Sequence, residues 1–117
     1  MGKIYNIKNN REFKRIYQKG RYAVSNLIVV YMLPNSLCMN RIGITASKKF
    51  GKSVKRNRIR RIIRECYRVL QDELIKGFDF VIVARKAENN EPPGFHQIYK
   101  EMRFLMKRLR VMEQGKK

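Results

Sequence analysis

The apolar positions of the chain repeat with helical spacing in three places. Ile59, Ile62, Ile63, Cys66, Tyr67 and Leu70 fall at i, i+3, i+4, i+7, i+8 and i+11, the spacing of a helix with one buried stripe. The spacing predicts a helix over residues 53–76, with Ser53 as its cap and Lys76-Gly77 as its stop. Phe13, Ile16 and Tyr17 predict a shorter helix over residues 10–19, with Asn9 or Asn10 as cap, Glu12 in the first turn and Gly20 at the end. Phe95, Ile98, Tyr99, Met102, Leu105, Met106, Leu109 and Met112 predict a third.

Between the helices the pattern changes. Residues 21–24 and 27–33 are rich in Tyr, Val and Ile and alternate poorly, as strands covered on both faces do. Ser25-Asn26 reads as a kink or bulge between them, and Pro34-Asn35-Ser36 as a turn. Residues 41–47 form a further strand with Ile42 and Ile44 on one face, and residues 78–84 a strongly apolar one. Residues 1–8 read as short, polar and loosely held, residues 85–94 as a loop interrupted by Pro92-Pro93, and residues 113–117 as a frayed tail. The expected order is α-β-β-β-α-β-α in one α+β domain spanning residues 1–117, with an ordered core from about 8 to 112 and helices packed on one sheet. A chain of 117 residues buries a core without metal or disulfide staples.

Charge alters what the central helix stands for. Formal net charge is +19, and residues 41–68 hold eleven bases against one acid, whereas residues 22–40 hold no charge. Like charges at helical spacing repel, and a charge serving solubility alone would be spread evenly. The concentration marks a polyanionic partner. An anionic membrane surface is the weaker candidate, because no apolar run is long enough to span and no signal peptide opens the chain. Cys38 and Cys66 lack metal-ligand spacing and read as reduced thiols of a cytoplasmic protein.

Side-chain catalysis finds little support. His96 is the single histidine and has no Ser or Cys partner in the sequence. Asp72, Glu73, Asp79, Glu88 and Glu91 form an acid-rich stretch, but it straddles a helix end, a strand and a loop, whereas a two-metal nuclease needs carboxylates converging on one pocket. Gly43 and Gly51 are too isolated to cradle a phosphate, and no Walker A or dinucleotide fingerprint is present. The nucleic-acid signal is stronger. Arg56, Arg60 and Arg64 recur at i, i+4 and i+8, starting beside the apolar stripe and drifting toward solvent, while Arg58, Arg61 and Arg68 lie toward the other side. Phe13, Tyr17 and Tyr31 supply aromatic surface of the kind that stacks unpaired bases, although periodicity alone places Phe13 and Tyr17 in the core.

The run Lys55-Arg56-Asn57-Arg58-Ile59-Arg60-Arg61-Ile62-Ile63-Arg64-Glu65 resembles the arginine-asparagine-arginine signature of the bacterial ribonuclease P protein family. Arg11-Glu12-Phe13 through Tyr17 and Gly20 resembles that family's first helix, Arg41 to Lys52 its third strand and following loop, and Asp79 to Arg85 its last strand. The resemblance implies an α/β sandwich like the second domain of ribosomal protein S5, with a left-handed βαβ crossover through the signature helix. It implies a subunit of an endoribonuclease that matures the 5′ end of tRNA. The catalytic RNA would do the chemistry with magnesium held mainly by RNA and substrate, and no protein side chain would be catalytic. Precursor tRNA and the catalytic ribonuclease P RNA are the implied partners, with no obligate protein partner. Carried over, Lys48, Lys49, Lys52, Lys55, Arg56, Asn57, Arg58 and Arg61 would contact the catalytic RNA. Phe13, Tyr17, Val29, Tyr31, Arg60 and Arg64 would line a cleft for the single-stranded 5′ leader. The alternative is a ribosome-associated structural RNA-binding protein without a processing role.

Overall fold

The computed structural model describes residues 3–86 and 93–113. Among them the order is β1 (Tyr5–Asn6), α1 (Asn10–Lys19), β2 (Arg21–Val24), β3 (Ile28–Pro34), β4 (Arg41–Ala46), α2 (Ser53–Leu70), β5 (Phe78–Ala84) and α3 (Phe95–Arg108), with 3-10 turns at Lys48–Phe50 and Gln71–Glu73. The strands make one sheet in the order β1-β4-β5-β3-β2. β4 and β5 are parallel neighbours joined through α2, β1 is parallel to β4, and β3 runs antiparallel to both β5 and β2.

Register decides which side chains share a face, because residues directly opposite one another point the same way. Three rows cross the sheet on the α1 side. Leu33, Asp79, Arg41 and Tyr5 form the first, Tyr22, Tyr31, Val81 and Gly43 the second, and Val24, Val29, Val83 and Thr45 the third. On the opposite side, Val30, Ile42, Phe80 and Ile82 meet Ile59, Ile63, Cys66, Tyr67 and Leu70 of α2 and Ile98, Met102, Leu105 and Met106 of α3 in the main core. Each fully buried side chain of this size contributes roughly 1.5–3 kcal/mol. The α1 side holds a much smaller cluster around Ile7, Ile16 and Val81. Helix therefore covers one sheet face thoroughly and the other in part.

Several expectations change. Residues 1–8 are not loose as a whole, since Tyr5–Asn6 pairs with β4 and Ile7 is buried; so short a strand with one buried apolar residue leaves almost no periodic signal. The order therefore begins with a strand, and the packed chain starts before residue 8. Ser25-Asn26 lies in the reversal of an antiparallel hairpin rather than in a kink. Its Ser25 amide donates to the Ile28 carbonyl at 2.9 Å. α2 ends at Leu70 instead of continuing to Lys76. Asp72 and Glu73 would set negative charge against the negative end of the helix dipole, and they occupy the tighter turn that follows. Lys52, not Ser53, stands at the cap position, with no side-chain bond. α3 stops at Arg108, and Arg110 takes a positive φ of 61° that turns the chain away from the helix axis. Most of the predicted 85–94 loop, including Pro92, and residues 114–117 of the tail lie outside the described residues.

Candidate nucleic-acid interface

α1 crosses its sheet face from β4 toward the β2 edge. Asn9 caps it, its side-chain oxygen accepting from the Arg11 amide at 2.8 Å. Glu12, in the first turn, meets the Arg41 guanidinium at 3.0 Å. Arg41 also donates to both carboxylate oxygens of Asp79, at 2.8 and 2.7 Å, and Asn35 adds a bond to Asp79 at 2.9 Å. These hydrogen bonds, led by Asp79, hold the guanidinium well above its ordinary pKa. Asp79, 6% exposed, is thereby satisfied as an ion and anchors α1 to the sheet through Arg41.

One residue further along α1, the ring edge of Phe13 sits directly over Gly43. A Cβ at Gly43 would come 2.5 Å from the phenyl ring, so only glycine lets the ring sit that low. From there an aromatic series crosses the sheet. Ring centroids lie 6.5 Å apart between Phe13 and Tyr17, 4.9 Å between Tyr17 and Tyr31, and 5.5 Å between Tyr31 and Tyr22. Tyr17 and Tyr22 are exposed, while Phe13 and Tyr31 are half-buried. Val29 stands in the next row with Val24, Val83 and Thr45, forming an open, mostly apolar strip beside the rings.

The far side of that strip is the end of the sheet where β4 and β5 finish. Exposed Lys48 and Lys49 follow β4, and exposed Arg85 and Lys86 follow β5. Arg85 is held in place by donating from Nη1 to the Ser25 carbonyl at 2.6 Å. α2 begins at the same end, with Lys52, Lys55 and Arg58 exposed in its opening turns and Arg61 exposed one turn on. Arg56 and Arg60 are half-buried beside the apolar stripe and Arg64 is exposed, which is the flank ridge that the spacing predicted. Asn57 accepts from Arg60 Nη1 at 2.9 Å. Arg56 donates to Ser53 Oγ at 3.2 Å, and its Nε is buried without a partner.

Of the residues expected at the leader cleft, Phe13, Tyr17, Val29 and Tyr31 come together. Arg60 and Arg64 lie on α2, in the layer behind the sheet. Arg64 Nη1 donates to Asn6 Oδ1 at 2.7 Å, which ties it to the β1 edge. The residues expected to meet the catalytic RNA, from Lys48 to Arg61 with Arg60 interspersed, fall in the 3-10 turn after β4 and the opening turns of α2.

Sequence reasoning missed Tyr22, Gly43, Arg85 and Lys86 as parts of this surface. The signal for Tyr22 was its place across the hairpin from Tyr31, which required the turn to be recognised. Arg85 and Lys86 read as the start of a loop until register placed them at the same end of the sheet as Lys48.

Several ionisable groups elsewhere are engaged. No group of three or more His, Cys, Asp or Glu residues suited to a metal occurs among the described residues, and Glu88 and Glu91 lie outside them. Glu73 is bound by Arg103 at 2.9 Å. Glu65 pairs with Arg68, which lowers its carboxyl pKa. Burial, with a smaller contribution from the Glu65 charge, pushes the Cys66 thiol up to about 12. Among the described residues, no helix is long and apolar enough to cross a membrane.

Fold and surface together define a class: a small polycationic α+β domain with a mixed five-stranded sheet, a half-open aromatic face and an arginine-rich helix linking two adjacent parallel strands. The Ribonuclease P family model matches residues 1–110. The ribonuclease P protein component of Caldanaerobacter subterraneus subsp. tengcongensis is 40% identical over 114 residues, covering 96% of this chain and 95% of its own length. That of Clostridium kluyveri is 44% identical over 90 residues, covering 75% and 80%. The solved structure of the Staphylococcus aureus RNase P protein superposes with a TM-score of 0.82 at 34% identity, covering 95% of this chain and all of that one. The RNase P protein from Thermotoga maritima gives 0.80 at 31%, covering 88% and 96%. The chain belongs to the ribonuclease P protein family. It is a protein component of a tRNA-processing ribonucleoprotein enzyme, and membership implies an RNA partner.

Proposed function

We propose that the chain works as a binding subunit with two surfaces. The run from Lys48 to Arg61 docks on the catalytic RNA, and the aromatic strip holds the single-stranded 5′ leader of precursor tRNA. The observation that carries this is the adjacency of two unlike surfaces: a cation-rich end of the molecule opens onto a sheet face that α1 leaves partly bare. Lysines and arginines neutralise phosphates and release counterions. Exposed rings stack unpaired bases without regard to sequence. Lys48, Lys49, Arg85 and Lys86 border the strip and would meet the backbone of a strand lying in it.

Among the described residues, Asp79 and Glu73 fit poorly as magnesium ligands, since Asp79 is engaged by Arg41 and Asn35 and Glu73 by Arg103. In this proposal the metal is held by RNA and substrate, and hydrolysis belongs to the RNA. Reconstitution with the catalytic RNA tests it. Adding the protein should restore processing of precursor tRNA at low magnesium, and protein freed of RNA should cleave nothing. No gain at low magnesium, or cleavage by the protein alone, would overturn the assignment.

A further inference from the structure

The aromatic series does not stop where the sequence pattern placed the cleft. Tyr22 is 62% exposed, the most exposed phenylalanine or tyrosine among the described residues. It stands on β2, the outer edge of the sheet, directly across the hairpin from Tyr31. The two rings are 5.5 Å apart and inclined at 35°. Ala23, the next residue, turns into the main core on the other face, so strand alternation fixes Tyr22 on the α1 side. The four rings thus step across the sheet from Phe13 over β4 to Tyr22 on β2.

An exposed tyrosine at a sheet edge often does no more than shield its neighbour, and Tyr22 does shelter Tyr31. That role needs only one face of the ring and leaves the other open at the end of a continuous series. The ring-to-ring steps, 4.9 to 6.5 Å, exceed the ~3.4 Å rise of stacked nucleotides in one strand. Bases of an unstacked strand could therefore engage the rings separately.

The cations give this series a direction. Lys48, Lys49 and the opening turns of α2 follow β4, and α2 packs over β4 and β5. The β4 end is accordingly next to the proposed catalytic-RNA surface, and the β2 edge lies three strands away from β4. Resting on the two-surface proposal above, we infer that the leader runs from β4 toward β2 and that Tyr22 is an outermost stacking platform. It would take a base of the leader farther from the cleavage site than those on Phe13, Tyr17 and Tyr31.

The test uses reconstituted holoenzyme and a set of precursor tRNAs whose leaders lengthen one nucleotide at a time. With the unaltered protein, affinity should rise with length to a plateau. Tyr22→Ala should remove the last step before that plateau, a loss of about tenfold, near the low end of what a base stacked on an aromatic ring contributes. It should leave the affinity for shorter leaders and for the catalytic RNA unchanged. Tyr22→Phe should restore the step. Equal loss at every length, or no loss at any length, would overturn the inference. Tyr17→Ala separates the two levels. If it weakens leader binding while Tyr22→Ala does not, the outer platform alone fails; if it weakens no leader, the leader surface itself fails.

Discussion

Arg41 clasps the buried Asp79 through both carboxylate oxygens and reaches Glu12 with the same guanidinium, so one side chain of β4 joins α1 to β5. Removing Asp79 leaves the partly buried Arg41 with Glu12 as its remaining carboxylate partner, and breaking a buried ion pair is costly. Asp79→Asn should lower stability by about 3 kcal/mol, measured by chemical denaturation. Processing by the reconstituted enzyme, assayed at a temperature where the variant stays folded, should persist. Abolished turnover in folded protein would instead return Asp79 to the nuclease role weighed from the sequence.

Gly43 sets the height of Phe13 above the sheet. Gly43→Ala would place a methyl 2.5 Å from the ring, and crowding of that kind typically costs about 1–3 kcal/mol. The displaced ring should weaken leader binding while affinity for the catalytic RNA holds. Titrating the variant against both RNAs measures the two effects separately.

Lys55 and Arg58 are exposed in the first turns of α2 and contribute nothing to the core. Lys55→Ala and Arg58→Ala should each weaken binding to the catalytic RNA. For every phosphate that is no longer neutralised, the plot of log affinity against log salt should flatten by about 0.7–0.9. An unchanged slope would show that these cations face solvent in the complex.

The two cysteines should differ chemically. Cys38 is exposed and Cys66 is fully buried, so a thiol reagent should label Cys38 in the folded protein and reach Cys66 only on unfolding. The raised Cys66 pKa also gives a sign. Between the ordinary thiol value of 9.0 and about 12, the unfolded chain loses a proton that the folded chain retains. The stability contribution is complete below pH 9 and is lost as pH climbs through that window. Cys66→Ala should shallow the alkaline fall in melting temperature.

How far the sequence carried depends on the length of each pattern. α2 spans 18 residues and repeats its apolar stripe from Ile59 to Leu70, so its buried residues and flank arginines were legible. Its end was not, because the continuing apolar spacing hid the conflict between Asp72 and Glu73 and the helix dipole. β1 contributes two residues and was invisible, and with it the partner that Arg64 finds in Asn6. The aromatic face was legible residue by residue but not as a surface. Periodicity assigned Phe13 and Tyr17 to the core, and their half-open setting arises because α1 crosses over the first two sheet rows and leaves the third uncovered. Tyr22, Arg85 and Lys86 depend on strand register, which no local pattern encodes.

α2 connects two strands that lie side by side in the middle of the sheet. Its cationic start is therefore fixed to the same scaffold as the rings, by covalent chain at both ends and by the main core along its length. The spacing between the two proposed surfaces becomes a built-in gauge, with little freedom for one to move without the other. A protein made this way would align a strand on its aromatic face with whatever RNA its helix grips, and its leverage over the substrate would come from distance held constant rather than from chemistry of its own.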